Sequence, residues 1–302
     1  MILTSEEPDK LSPRQNHLLT IVHKLWHMLF KWLLIVVAGV IVGNWLYTFI
    51  PTFVPNTDNS DFSMGEKQSD SCNVEGINLH GSLVTYIPQG AENDPMMNQD
   101  MTSSENVSFA IKSANEDDDI KAILVEVDSG GGMPIAGEEI AIAIKESAKP
   151  VVALIRGVGA SASYLAISSA DKIFASKYSD VGSIGVTGSF LNNVEKNKKD
   201  GYQYEQLTAG KYKDLGNPDK PLTAEERALY MRDINIIYEN FIKTVAENRS
   251  LPLESVRAIA DGSTVLGETA QNVGLIDQIG GMPEAEAYLK EIVGDAPDYC
   301  WD

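Results

Sequence analysis

Histidine is nearly missing from this chain. Of its four, His17, His23 and His27 precede residue 30, and His80 alone lies in the body of the sequence. A hydrolase built on this body has His80 or no histidine as its general base. His80 sits between Leu79 and Gly81 at an expected strand end and reads as structural, which leaves lysine or carboxylate for proton transfer. Cysteine is as sparse: Cys72 and Cys300 exclude a disulfide framework, and spacing leaves open whether the two pair. Basic residues are outnumbered, 24 Lys and Arg against 43 Asp and Glu, for a formal net charge of −19. The basic stripe that nucleic acid requires is absent, so nucleic acid is not an expected partner. Repeats and low-complexity tracts are absent as well. No Gly-Lys-Ser/Thr follows the glycine clusters, which argues against a phosphate loop. No cofactor and no metal site is expected.

What is present is ample apolar material, 43% of 302 residues, and one long apolar run. From Trp32 to Ile50 nineteen residues carry no charge, ended by Pro51. Nineteen helical residues span the ~30 Å hydrocarbon core of a bilayer. Trp32, Trp45 and Tyr47 suit the interfacial belts. A buried core helix or a cleaved signal peptide are the alternatives, but no Ala-x-Ala site follows, and residues 25–50 read as an uncleaved transmembrane anchor. Lys10, Arg14, Lys24 and Lys31 precede it, whereas Asp58, Asp61 and Glu66 follow. The positive-inside rule then puts residues 1–24 in the cytoplasm and everything beyond Pro51 outside the membrane. Residues 51–73, rich in Pro, Asn, Asp and Ser, read as a linker, and 74–302 as the exported domain.

Within that domain, strands are expected over Ile77–Tyr86, Ile120–Val127, Pro150–Ile155, Lys172–Ala175 and Tyr202–Leu207. Helices are expected over Glu105–Asn115, Ala136–Glu146, Tyr164–Ala170, about Thr223–Asn248 and Glu284–Val293, and Thr223 with Glu226 forms a capping box. Pro88–Ser104 reads as a loop. Alternating strand and helix argue an α/β domain with a largely parallel sheet.

Arg156–Ser169 (RGVGASASYLAISS) reads as strand, glycine turn, helix. Ser161 falls at the turn, at the positive end of a helix dipole, where a nucleophile could carry an anionic transition state. The competing reading is a plain helix N-cap. Gly130, Gly131 and Gly132 follow a strand directly; in a parallel sheet that strand end shares an edge with the Ser161 turn. Glycines there can present N–H groups as an oxyanion hole, or simply make a turn. Lys213, in Ala209–Asp214 (AGKYKD), could act as a base only if neutral, which demands desolvation.

The order DSGGG, GASAS, GSIGV, AGKYKD resembles the SppA-type signal peptide peptidases, across roughly Gly76 to Leu289. The resemblance implies a membrane-anchored Ser-Lys serine endopeptidase with a ClpP/crotonase-like fold, held at the bacterial cell membrane. Residue by residue it makes Ser161 the nucleophile, Lys213 the general base, Ser183 the serine beside the lysine amine, and Gly131 and Gly132 the oxyanion glycines. It further implies polypeptide substrates, remnant signal peptides or other membrane-near chains, and a homo-oligomer. Two departures stand out: Gly130 where the family usually has proline, and Ala162 and Ser163 where it has two glycines. Ser163 is therefore a rival nucleophile. The alternatives are a catalytically silent membrane scaffold of the same fold and, more remotely, a crotonase-like acyl-CoA enzyme.

Overall fold

The computed structural model describes residues 72–88 and 100–301. The expected cytoplasmic segment, anchor and linker up to residue 71 lie outside the described residues. Among the described residues no helix is long and apolar enough to cross a membrane. Cys72 and Asn73, grouped with the linker on sequence, belong to the folded body. Cys72 is buried and disulfide-bonded to Cys300, and the Asn73 amide binds the Ala296 carbonyl and the Asp298 N–H.

A parallel sheet forms the frame. Its central strands are β1 (Val74–Val84), β3 (Ala122–Gly132) and β4 (Val151–Ala160), flanked by β5 (Lys172–Ala175) and β8 (Gln278–Ile279). The far edge of β1 is covered in two pieces. β2 (Met101–Ser103) pairs with Ser82–Val84, and β9 (Tyr299–Trp301) pairs with Val74–Gly76. β6 (Asp180–Gly182) pairs parallel with β4 beyond the point where β5 stops, and antiparallel with β7 (Thr264–Leu266). The expected α/β class and parallel sheet are therefore present.

The central strands are apolar on both faces, as strands buried from two sides must be. Ile123, Val125, Val127, Val151, Ala153 and Ile155 face one layer of helices. That layer holds α1 (Ser104–Glu116), α2 (Pro134–Lys145), α3 (Ala162–Ile167) and the C-terminal half of α5 (Ala224–Asn248). Beyond the short helices α6 (Leu253–Ile259) and α7 (Gly267–Asn272), α8 (Met282–Val293) meets the alternate residues Ala122, Leu124, Val152 and Leu154 through Ala285 and Leu289.

One expected strand is missing. Tyr202–Leu207 is irregular, with Tyr202 and Leu207 exposed. Its alternation of aromatic and polar residues mimics a strand, but no sheet edge is there to pair with. The surrounding 186–222 segment holds only α4 (Val194–Lys199), which has no buried residue. The expected loop over Pro88–Ser104 closes earlier, as Met101–Ser103 joins the sheet and Ser104 opens α1.

Candidate active site

β4 runs apolar and buried from Val151 to Ile155, then delivers the chain to Ser161 and into α3. Ser161 has φ 56 and ψ −127. A side chain at positive φ costs on the order of 1–3 kcal/mol and persists only when its surroundings impose it. The constraints are visible. The Ser161 N–H donates to the Gly182 carbonyl at 2.8 Å, and its carbonyl accepts from Leu165 N–H at 3.0 Å. The Ser161 side chain makes no capping bond, so the N-cap reading fails although the residue occupies the cap position. Beneath the turn Tyr164 is fully buried and donates its hydroxyl to the Leu275 carbonyl at 2.8 Å. Burial pushes that phenol well above its ordinary range, so it stays a neutral anchor.

Gly131 presses against the turn from β3. A Cβ there would lie 2.7 Å from Ser161 Cβ and 2.8 Å from both the Ala160 carbonyl oxygen and Ala162 N, and its φ is 103. No residue but glycine fits. Its N–H, however, is already donated to Ser129 Oγ at 3.1 Å. The Gly131 N–H is thus engaged within the fold, and what Gly131 brings to Ser161 is closeness. Gly132 is different. Met133 N–H donates to the Leu83 carbonyl at 2.9 Å, towards β1. In an extended strand successive N–H groups point to opposite sides, so Gly132 N–H points towards β4 and the turn. The first N–H groups of α3, from Ala162 on, have no intrahelical acceptor. Gly132 and Ala162 thus present two candidate amides on the side of Ser161.

Ser161, Ser183 and Gly132 line one cleft of ≈1060 Å³, walled by apolar residues such as Met133, Leu165, Val186, Ile234 and Phe241. Ser183, like Ser161, has positive φ, 49. Its N–H donates to the Ser263 carbonyl at 3.0 Å and its Oγ to the Gly262 carbonyl at 2.8 Å. Asp261 lies on the same rim, its carboxyl held below the usual range by the hydroxyl and N–H of Ser263.

Ser163, the rival nucleophile, is fully buried. Its Oγ lies 2.7 Å from the Ser129 carbonyl and accepts from Ala160 N–H at 2.9 Å, so it is an internal strut. His80 alternates with Ile77 and Leu79, and so lies on the α8 side of the sheet. Its Nε2 is 3.4 Å from Glu126 Oε1, and its backbone N–H and carbonyl both engage Thr102 Oγ1. It does not line the cleft.

Lys213 does not line it either. It is exposed, on a turn where its N–H reaches the Gly210 carbonyl at 3.1 Å. The next residue is anchored: Tyr204 donates to Asp214 Oδ2 at 2.5 Å, and Asn217 binds both. The Tyr204 hydrogen bond, then that of Asn217, holds Asp214 below the carboxylate range, and the same pairing pushes Tyr204 up to about 12. Lys220 binds Glu226, which lies in the capping box of α5; that pairing first, then the Thr223 N–H, takes Glu226 down to about 2. Sequence reasoning missed this network, though its signal was present in the Thr223–Glu226 cap and the closely spaced Asp214, Asn217 and Lys220.

A model of peptidase family S49 matches residues 143–294, half the chain, from the end of α2 through Ser161, Ser183 and Lys213 to α8. A provisionally named protease of Methanocaldococcus jannaschii is 41% identical over 237 residues, covering 78% of this chain and 73% of that one. A provisionally named signal peptide peptidase SppA of Enterococcus faecium is 28% identical over 284 residues, covering 85% and 80%. Among solved structures, a mutant ClpP1 from Listeria monocytogenes aligns with a TM-score of 0.44 at 15% identity, over 69% of this chain and 92% of that one.

Proposed function

Because the chain belongs to peptidase family S49, which supports a serine protease, we propose that it is a membrane-anchored endopeptidase in which Ser161 is the nucleophile and Lys213 the general base. The observation that carries this reading is Ser161 itself. It is held at positive φ by neighbours that leave its hydroxyl without a capping role, at the head of an apolar cleft. Ser161 Oγ attacks the scissile carbonyl while its proton passes to neutral Lys213. The oxyanion is met by the N–H groups of Gly132 and Ala162. Collapse of the tetrahedral species returns the proton to the leaving amine, and water then releases the acyl group by the reverse sequence. Ser183 orients the lysine amine, which requires its hydroxyl to turn from the Gly262 carbonyl.

Lys213 must lose water to be neutral, and a single chain leaves it exposed. The reading therefore includes association of copies: the exposed 186–222 segment of one chain packs against another, and Lys213 reaches a Ser161 there. The apolar walls of the cleft suit extended apolar polypeptides, such as remnant signal peptides, and an anchor at residues 25–50 would concentrate such substrates. The Cys72–Cys300 disulfide supports an oxidising location outside the cytoplasm. Protease added to intact spheroplasts should then digest the domain; protection until lysis would reverse that orientation.

The deciding experiment is to treat the purified protein with a serine-directed acylating probe and map the adduct. Modification of Ser161, abolished by Ser161→Ala, is expected. Modification elsewhere with Ser161 untouched would sink the assignment. The exposure of Lys213 favours one second reading, a silent scaffold of the same fold, and absence of both labelling and peptide turnover in the associated protein would establish it.

A further inference from the structure

Two buried serines tie the cleft's backbone together, and neither belongs to the catalytic pair. Ser129 and Ser163 are 2% and 0% exposed. Ser129 Oγ donates to the Gly81 carbonyl of β1 at 2.6 Å and accepts the Gly131 N–H at 3.1 Å. Ser163 Oγ lies 2.7 Å from the Ser129 carbonyl and 2.8 Å from the Ala160 carbonyl, and accepts the Ala160 N–H at 2.9 Å. The chain of contacts runs from β1 through β3 to β4 and the first turn of α3. It crosses a stretch where ladder pairing is interrupted twice: the register of β1 on β3 shifts between His80 and Ser82, and that of β3 on β4 between Val127 and Ser129. Where the sheet's own hydrogen bonds slip, the two hydroxyls take over.

We infer that Ser129 and Ser163 are positioning residues that clamp the Gly131–Gly132 turn to the Ser161 elbow, setting the aim of the Gly132 and Ala162 N–H groups. The inference rests on Ser161 being the nucleophile. Gly131 shows how little slack there is: it has no room for a Cβ against Ser161, Ala160 and Ala162. Its N–H is fixed by Ser129, which sets the plane of the peptide before it, and the Met133 N–H is held by the Leu83 carbonyl, so Gly132 is pinned from both sides. Ser163 holds the opposite side by anchoring both the Ser129 carbonyl and the Ala160 N–H. Neither hydroxyl touches substrate. What they supply is alignment of donors that matter only once the carbonyl oxygen becomes an anion.

The test compares binding of an apolar peptidyl aldehyde, which adds to the serine hydroxyl and leaves an oxyanion, with that of the same peptide ending in an amide. In the parent the aldehyde should bind far more tightly. Ser129→Ala should weaken aldehyde binding and kcat ten- to a hundredfold, with KM and amide binding unchanged and the pH profile unshifted. Ser163→Ala carries the same expectation from the other end of the clamp. Ser168→Ala, an equally buried serine whose hydroxyl binds the Leu165 carbonyl, is the control and should leave the aldehyde-to-amide ratio at the parent value. Aldehyde and amide weakened together, or an unchanged ratio in both variants, would overturn the inference. Unfolding of both would overturn it too, by making the pair a requirement of the fold. Failure of the nucleophile reading looks different: the aldehyde would show no advantage in the parent itself, and Ser161→Ala would not change its binding.

Discussion

The β1–β3–β4 sheet with α3 and the 186–222 segment with the first turns of α5 solve the same task by opposite means. In the first, most side chains are buried, and Ser161 is over-determined by backbone hydrogen bonds and a glycine contact, with two serine hydroxyls bracing the strands behind it. In the second, Leu191, Tyr202 and Leu207 are exposed, and order comes from one polar network around Asp214 and Glu226. The proposed nucleophile, Ser161, is pre-organised by the chain's own core, whereas the proposed base, Lys213, is presented by a surface whose apolar groups are uncovered. A catalytic serine needs fixed geometry, which a core supplies. A neutral lysine needs dehydration, which an exposed segment obtains only from a partner.

The largest effects should come from cutting this division at either end. Ser161→Ala and Lys213→Ala should each lower kcat/KM about a thousandfold or more, with far-UV circular dichroism unchanged. Lys213→Arg should be as inactive as Lys213→Ala, since guanidinium stays protonated. If association completes the site, mixing the two inactive alanine variants and allowing subunits to exchange should restore part of the activity. Lack of any recovery would mean that serine and lysine act within one chain.

Next in size is the covalent tie of the core. Replacing Cys72 and Cys300 by serine opens a crosslink spanning 228 residues and should cost about 2–5 kcal/mol in denaturant unfolding. Peptidase activity of the folded fraction should persist. Smaller again is a matched pair of glycine changes. Gly131→Ala meets Ser161, Ala160 and Ala162 besides its positive φ, whereas Gly201→Ala, also at positive φ, has nothing within 4 Å. The first should abolish most activity; the second should cost only about 1 kcal/mol of backbone strain. Equal effects would erase the contrast between the two regions.

The smallest effect is in the segment's response to acid. The folded-state pKa of Glu226 is lowered to about 2 from 4.5, so its stabilisation is full above about 4.5 and is lost as pH falls towards 2. Asp214, lowered chiefly by Tyr204, has the same sign. Hydrogen exchange should show residues 200–226 losing protection in that window while β3 and β4 keep theirs, and Glu226→Gln should reduce the pH dependence to the part that Asp214 supplies.

Much of the core half was legible because its motifs are local. A β-branched run, spaced glycines and a small-residue turn specify strand, elbow and helix within twenty residues. Two things there were not. That Gly131 gives closeness and no N–H depends on Ser129, whose hydroxyl turns back on the chain only once β1 supplies the Gly81 carbonyl. The pairing of Cys72 with Cys300 depends on β9 docking beside the start of β1, a contact between chain ends that spacing does not encode. The exposed half was misread at Tyr202–Leu207, because alternation forecasts a strand only where another strand waits. Lys213 was singled out by its motif alone, and in this chain it is exposed and stands outside the cleft.

The docking of β9 on β1, with the disulfide beside it, makes the described domain a closed covalent ring. Among the described residues, the exposed stretch after Ser183 is one that a protease can reach. One cut there opens the ring without dividing the molecule: the product runs as a single species until reductant is added, and then as two. The chain can thus be nicked in the segment that carries Lys213 and still keep both pieces, joined through the disulfide beside the sheet that holds Ser161.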